Sequence, residues 1–165
     1  MPEDLTQNIV LFDFTPKDLK ELTRLSREYF TELFAYDETL LFAEDWDRGY
    51  RNLMGIGIDS ERFQIRGARL DKKVVGFVMF GYRIESLWQV SNRGYLSNIY
   101  VIPSHRGRGI GRMLVRDAIE RMRAAGSLVI ELEVYAANEA AKSFWDHFGF
   151  RTFKHRLRLL SPPPK

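Results

Sequence analysis

Between positions 101 and 115 the chain reads VIPSHRGRGIGRMLV, so that Gly107, Gly109 and Gly111 alternate with Arg106, Arg108, Ile110 and Arg112 between two apolar runs. Residues without a Cβ let successive backbone N–H groups converge on one ligand, and a helix that starts there adds the positive end of its dipole. A phosphate fits such a turn. The arginines carry more charge than one diphosphate requires, which leaves room for a further phosphate on the same ligand. A triphosphate-binding loop needs Gly-Lys-Ser/Thr at the helix start, and Gly111-Arg112-Met113 has neither lysine nor hydroxyl. A dinucleotide fingerprint puts a third glycine where Arg112 stands, although Glu131 follows about twenty residues on, as a ribose-binding acid does. A glycine-rich connector with solvated arginines is the remaining alternative.

Composition narrows the chemistry further. The chain has 165 residues, 45% of them hydrophobic, enough for one substantial core. With no cysteine, disulfides, thiolate metal sites and cysteine nucleophiles are excluded. His105, His147 and His155 are far apart, so no metal centre is expected. Twenty-five basic against 22 acidic residues give +3, a mild excess that suits an anionic ligand but not the dense basic face of a nucleic-acid binder. The acidic start MPEDLTQN has no apolar targeting core, and no run approaches the ~18 apolar residues of a membrane span. The expectation is a cytoplasmic protein with neither nucleic acid nor membrane as partner.

Several elements must position the turn. Residues 8–14 are β-rich and end at Thr15-Pro16, where a helix over about 17–36 is expected from Leu19, Leu22, Leu25, Tyr29 and Leu33. A second helix, DWDRGYRNLMG, is expected to end near Gly55. Strands then follow at FQIRGARL and KVVGFVMFGYRI, joined by a tight turn at Asp71-Lys72, and at YLSNIYVI before Pro103. Gly109 to Ala125 is amphipathic and Gly126 can cap it. LVIELEVY alternates, with Leu128, Ile130, Leu132 and Val134 on one face and Glu131 and Glu133 on the other. Asn138 caps a last helix that Gly149 ends, FRTFKHRLRLL reads as a final strand, and SPPPK is a tail. This predicts an α/β fold, a mixed sheet of about six or seven strands flanked by helices, as one domain over 1–160 with a tail at 161–165.

Two blocks together resemble the GNAT superfamily of N-acetyltransferases. Val-Ile-Pro-X-X-Arg-Gly-Arg-Gly-Ile-Gly is similar to its pyrophosphate loop at Arg106, Gly109 and Gly111. Asn-X-X-Ala-X-X-Phe-Trp-X-X-X-Gly-Phe is similar to its C-terminal block at Asn138, Ala141, Gly149 and Phe150. One helix and one strand lie between the blocks, as in that family. The resemblance implies a centrally splayed sheet and acetyl-CoA as cosubstrate, whose 3′-phosphate accounts for the arginine excess.

Residue by residue, the resemblance implies that the main chain of Ile99, Tyr100 and Val101 pairs with the pantetheine arm. It gives the diphosphate to Arg106, Gly107, Arg108, Gly109, Ile110, Gly111 and Arg112, and places Asn138 and Ser143 on the cofactor. It implies direct attack of an amine on the thioester, helped by a base and by an acid for the departing thiolate. The tyrosine that many members use as that acid is Trp145 here, with Ser143, Tyr100, Tyr135 or water as stand-ins. Where several relatives carry an acid before the pantetheine-binding residues, this chain has Ser97 and Asn98, so Glu133, with Glu131 beside it, is the expected base. From Glu28 to Asp47 seven acids (Glu28, Glu32, Asp37, Glu38, Glu44, Asp45, Asp47) interleave with Tyr29, Phe30, Phe34, Tyr36, Phe42 and Trp46, a lip suited to a cationic amine. The expected function is acetyl transfer to a primary amine, small and cationic, by a monomer or homodimer. A protein lysine or N-terminal acetyltransferase, acting on a peptide amine, and a non-catalytic acyl-CoA sensor are the alternatives.

Overall fold

A computed structural model describes residues 8–160. The tail expected at 161–165 and most of the acidic start lie outside the described residues. The chain divides into two compact units, Met1–Glu133 and Val134–Lys165.

The first unit carries the sheet. Strand β1 (Ile9–Asp13) leads through a 3-10 turn at Pro16–Asp18 into helix α1 (Leu19–Leu33), followed by α2 (Trp46–Ile58), β2 (Phe63–Leu70), β3 (Lys73–Ile84), β4 (Asn92–Val101), α3 (Ile110–Ala124) and β5 (Val129–Leu132). The strands lie in sequence order, with β1 to β4 antiparallel and β5 parallel to β4. The sheet therefore has five strands among the described residues, one or two fewer than the pattern predicts. A parallel β5 requires a crossover, and α3 supplies it.

Helix α1 starts later than the apolar spacing suggests, because Pro16 opens a tighter turn. The Asp18 carboxylate accepts from the Thr15 N–H at 2.9 Å and from its hydroxyl at 2.7 Å. Helix α2 runs through Gly55 instead of stopping there. A Cβ at Gly55 would meet only Leu19 of α1, at an ordinary contact distance of 3.8 Å, and the helix passes through the glycine without a break. The turn at Asp71-Lys72 is as tight as its sequence suggests, with φ of +47° and +68° between the paired residues Leu70 and Lys73.

Strand β3 is buried over Val74–Gly81, which makes it the spine of the unit. Residues opposite one another in an antiparallel pair share a face. On one face Tyr29 of α1 meets Phe77 edge-on at 6.3 Å, and the Tyr50 hydroxyl of α2 reaches the Met79 sulfur at 3.9 Å. On the other face lies α3, whose Met122 would touch a Cβ placed at Gly94. Leu22 and Leu25 of α1 and Leu114 and Val115 of α3 are fully buried. A charged cluster lies beside the middle of β3. Arg66 of β2 is 7% exposed and bonds Asp117 of α3 at 2.8 Å and Asp13 of β1 at 3.0 Å.

The second unit holds α4 (Glu139–Asp146), started by Asn138, whose side chain accepts from the Ala141 N–H at 3.0 Å. The final strand expected at FRTFKHRLRLL does not form. Residues 151–160 carry no helix or strand and are exposed throughout, Phe153, Leu157 and Leu159 included. Alternation specifies a strand only when a neighbouring backbone completes its ladder.

Lys72 occupies the left-handed region, which a side chain disfavours by roughly 1–2 kcal/mol relative to glycine. Lys72→Gly should therefore stabilise the protein by up to about 1 kcal/mol once glycine's own chain entropy is subtracted. A urea titration that shows no gain in midpoint would contradict this account of the turn.

Candidate active site

The β4–β5 ladder covers only Arg93–Leu96 against Val129–Leu132. Strand β4 continues through Ser97 to Val101 on β3 alone. Met79 faces Asn98 and Phe80 faces Leu96, so Ser97 is the extra residue of a β-bulge where the two strands part. Its hydroxyl donates to the Met79 carbonyl at 3.3 Å. The parting that the family resemblance requires is thus present.

The hydrogen-bond phase of β4 decides which residues face the gap. The Ile102 N–H donates to the Val75 carbonyl at 2.9 Å, directly across from it in register. Bonded pairs alternate along an antiparallel ladder, so Tyr100 also turns its backbone to β3, while Ile99 and Val101 turn theirs to the side that β5 has left. Asn98 and Tyr100, opposite Met79 and Phe77, project their side chains to the α1–α2 face. The Tyr100 hydroxyl donates to Glu28 of α1 at 3.1 Å.

The glycine-arginine turn follows at once. Pro103–His105 form a 3-10 turn, Gly107 and Gly109 have φ of +75° and +82°, and Gly109 stands at the start of α3. Neither conformation suits a residue with a Cβ. No side chain caps this helix, and its first internal bond is Met113 N–H to Gly109 carbonyl at 3.0 Å. The amides of Ile110, Gly111 and Arg112 therefore have no helical acceptor. Arg108 and Arg112 are exposed and make no ion pair among the described residues. Arg106 turns back to β4: its Nε donates to the Val101 carbonyl at 2.8 Å and an Nη to Glu32 at 2.6 Å. Next to the turn, partial burial, then the charges of Arg108 and Lys73, hold the His105 imidazole below its ordinary pKa.

The expected catalytic groups are placed as follows. Glu131 gives both carboxylate oxygens to arginines, Arg93 at 3.1 Å and Arg83 at 3.3 Å, which removes it as an available base. Glu133 is exposed one residue beyond β5, at the end of the first unit. In the second unit Ser143 is exposed on α4, and its carbonyl lies 2.6 Å from His147 Nδ1. Trp145 is 7% exposed and packs against Phe144, Phe148 and Phe150, with ring centroids 4.9, 6.1 and 5.4 Å away. It is a core residue of that unit.

The acidic-aromatic lip is partly neutralised by the protein itself. Glu28 pairs with Arg24, Glu32 with Arg106, and Asp45 with Arg48. Arg27 bonds Asp47 at 2.9 Å and lies 4.3 Å over the Phe42 ring and 5.0 Å from Trp46, occupying the cation-π face that an amine would use. Sequence alone missed Arg27, because it stands just before the acidic stretch. Two surface hollows of about 280 and 600 Å³ lie elsewhere, beside Phe14 and Ile65 and between α1 and α2, and neither includes a residue of 97–112.

A parted β4–β5 pair is thus followed directly by an uncapped, glycine-rich helix start. The profile of the Acetyltransferase (GNAT) family matches residues 19–150, across the boundary between the two units, and the chain belongs to that family. It is an acetyl-CoA-dependent acyltransferase. The N-alpha-acetyltransferase 30 of Schizosaccharomyces pombe is 25% identical over 150 residues, covering 91% of this chain and 89% of that protein. The streptothricin acetyltransferase of Streptomyces lavendulae is 36% identical over 96 residues, 58% of this chain and 47% of its own. In fold, the chain is similar to a mutant BH1408 protein from Bacillus halodurans (TM-score 0.82, 20% identity, 93% of this chain and 99% of that one). It is also similar to the aminoglycoside N-acetyltransferase AAC(6′)-Iy in complex with CoA (TM-score 0.76, 14% identity, 93% and 94%). Among the described residues no helix is long and apolar enough to cross a membrane, and no cluster of three or more metal-ligating side chains occurs.

Two phenols on the α1–α2 face resist ionisation. Burial pushes Tyr50 up to about 12, against a hydrogen bond to Ser26 that acts the other way, and burial with the Glu28 carboxylate raises Tyr100 well above its ordinary value. A raised phenol contributes stability that is complete below the unfolded value of about 10 and is lost as pH climbs through the folded one. Stability should therefore fall between about pH 10 and 12, with Tyr50→Phe flattening the decline. Phenolate absorbance from these two residues well below that range, in protein still folded, would contradict it.

Proposed function

We propose that the protein transfers the acetyl group of acetyl-CoA directly to a primary amine, with residues 1–160 serving as one catalytic domain. The observation that carries this reading is the sequence of events along one stretch of chain. The backbone of Ile99 and Val101 faces the side vacated by β5, and within a few residues the unclaimed amides of the Gly107–Arg112 turn begin. A pantetheine arm with its two amides fits the first, and a diphosphate the second. Arg108 and Arg112 are the side chains proposed for the phosphates, the 3′-phosphate included. Asn138, already the cap of α4, and Ser143 are proposed on the pantetheine side.

In the proposed reaction the amine lone pair attacks the thioester carbon, a C–N bond forms and the C–S bond breaks. The amine proton leaves to a base, and the thiolate takes a proton from solvent. The carbonyl oxygen, negative in the tetrahedral intermediate, is stabilised by a backbone N–H at the bulged end of β4. An alkyl ammonium has a pKa near ~10.4, so a base is needed. Glu133 acting through water is proposed, with the Ser97 hydroxyl and Asn98 amide orienting that water. Tyr100 is a poor donor to the thiolate because its proton is committed to Glu28.

A small cationic amine is the first acceptor proposed. Glu38 and Glu44, which make no ion pair among the described residues, leave the lip a local negative charge. A peptide amine is the second. It is favoured by Arg27 over Phe42 and Trp46, which fills the face where a free cation would stack, and by the likeness to a protein N-alpha-acetyltransferase.

Acetyl-CoA should raise the melting temperature, and Gly109→Asp, which adds both a Cβ at φ +82° and a negative charge, should abolish the shift. Absence of any shift in the unmutated protein would sink the cofactor assignment. Thiol release across polyamines, aminoglycosides, amino acids and peptides identifies the acceptor, and a panel without turnover would sink the amine-transfer reading. Bound diphosphate should also raise the pKa of His105, since it offsets the Arg108 and Lys73 charges that now lower it. A ring-proton NMR titration with and without CoA reads this directly.

A further inference from the structure

Arg106 has the sequence position of a phosphate ligand, yet its guanidinium is spent on the protein. A guanidinium offers five N–H donors in one plane. Here Nε holds the Val101 carbonyl at 2.8 Å, Nη2 holds Glu32 at 2.6 Å, and the group lies 5.4 Å from the centre of the Tyr100 ring. Tyr100 in turn donates to Glu28, one helical turn before Glu32 on the same face of α1. Two carboxylates of α1 thus grip the residue before Val101 and the first residue of the turn, with Val101 between them. Its carbonyl keeps a second lone pair for another donor, so the strut and a pantetheine amide are compatible at that atom.

We propose that Glu32 is a positioning residue of the cofactor site: acting through Arg106, it fixes the start of the glycine turn relative to the Val101 carbonyl, while Arg108 and Arg112 meet the phosphates. The proposal rests on the reading that this turn binds the diphosphate of coenzyme A. Without Glu32 the guanidinium loses the partner that aims its Nε at Val101, and the amides from Gly107 to Gly111 lose their fixed distance from the strand edge. Prealigned donors bind an anion more tightly than donors that must first be ordered. The two side chains are 45% and 43% exposed, so the pair contributes little to global stability, and its effect is local.

Calorimetric titration of CoA and dephospho-CoA into the full chain tests this, with melting temperatures measured alongside. Glu32→Ala should weaken both ligands by the same factor, roughly three- to tenfold, with the melting temperature of the free protein little changed. Glu32→Gln keeps an acceptor oxygen for Arg106 and should recover most of the affinity. Arg108→Ala should instead lower the preference for CoA over dephospho-CoA. Unchanged or tighter binding in Glu32→Ala would mean that Arg106, once released, is itself a phosphate ligand, and would overturn the proposal. A loss matched by a large fall in melting temperature, or one that Glu32→Gln does not relieve, would make the residue merely structural and overturn it equally. Failure of the unmutated protein to bind CoA would defeat the underlying cofactor reading instead, a separate result.

Discussion

Every N–H and C=O of a strand needs a partner, and β5 supplies partners for β4 only as far as Leu96. Beyond that point Ile99 and Val101 keep one set of backbone groups turned away from β3, and the rest of the first unit is organised around this edge. Strand β3, buried on both faces, holds β4 straight from one side. The bulge at Ser97 sets the phase that turns Ile99 and Val101, and not Tyr100, to the other. Pro103 ends the strand, so the amides of the α3 start arrive a few residues later.

Charge follows the same division of labour. Most carboxylates near the site are already bound to arginines of the same unit: Glu28, Glu32, Asp45 and Asp47 each have one, and Glu131 has two. Arg66 is likewise engaged, buried between Asp117 and Asp13, and Arg121 pairs with the same two acids. At the turn, Arg108 and Arg112 carry positive charge without an ion pair among the described residues, with Lys73 near His105. These charges lie where an anion is proposed to bind.

The proton donors and acceptors are sparser. Trp145 is enclosed by three phenylalanines, Tyr50 and Tyr100 hold their protons tightly, and Glu131 is occupied by Arg83 and Arg93. The groups that remain suit a reaction whose demand is alignment and oxyanion stabilisation more than strong acid catalysis, as expected for an amine attacking a thioester, whose leaving group is a stable thiolate near pKa ~8.5.

By itself the sequence determined whatever depends on near neighbours in the chain. The left-handed backbone of the turn at residues 106–112 follows from glycine's freedom at φ > 0, the Asp71-Lys72 hairpin from turn length, the start of α4 from the Asn138 cap, and the α/β order from hydrophobic period. The tertiary structure decided what depends on partners distant in sequence. A strand needs a second backbone, so β5 shrank to four residues and 151–160 formed none, although both segments alternate. The phase of β4, and with it the choice of Ile99 and Val101 over Tyr100, depends on a bulge opposite Met79 that no local signal announces. The partners of Glu32, Glu131 and Arg27 were equally hidden, because an ion pair is fixed by which helix face packs on which strand, and the side-chain type records only that some partner is needed.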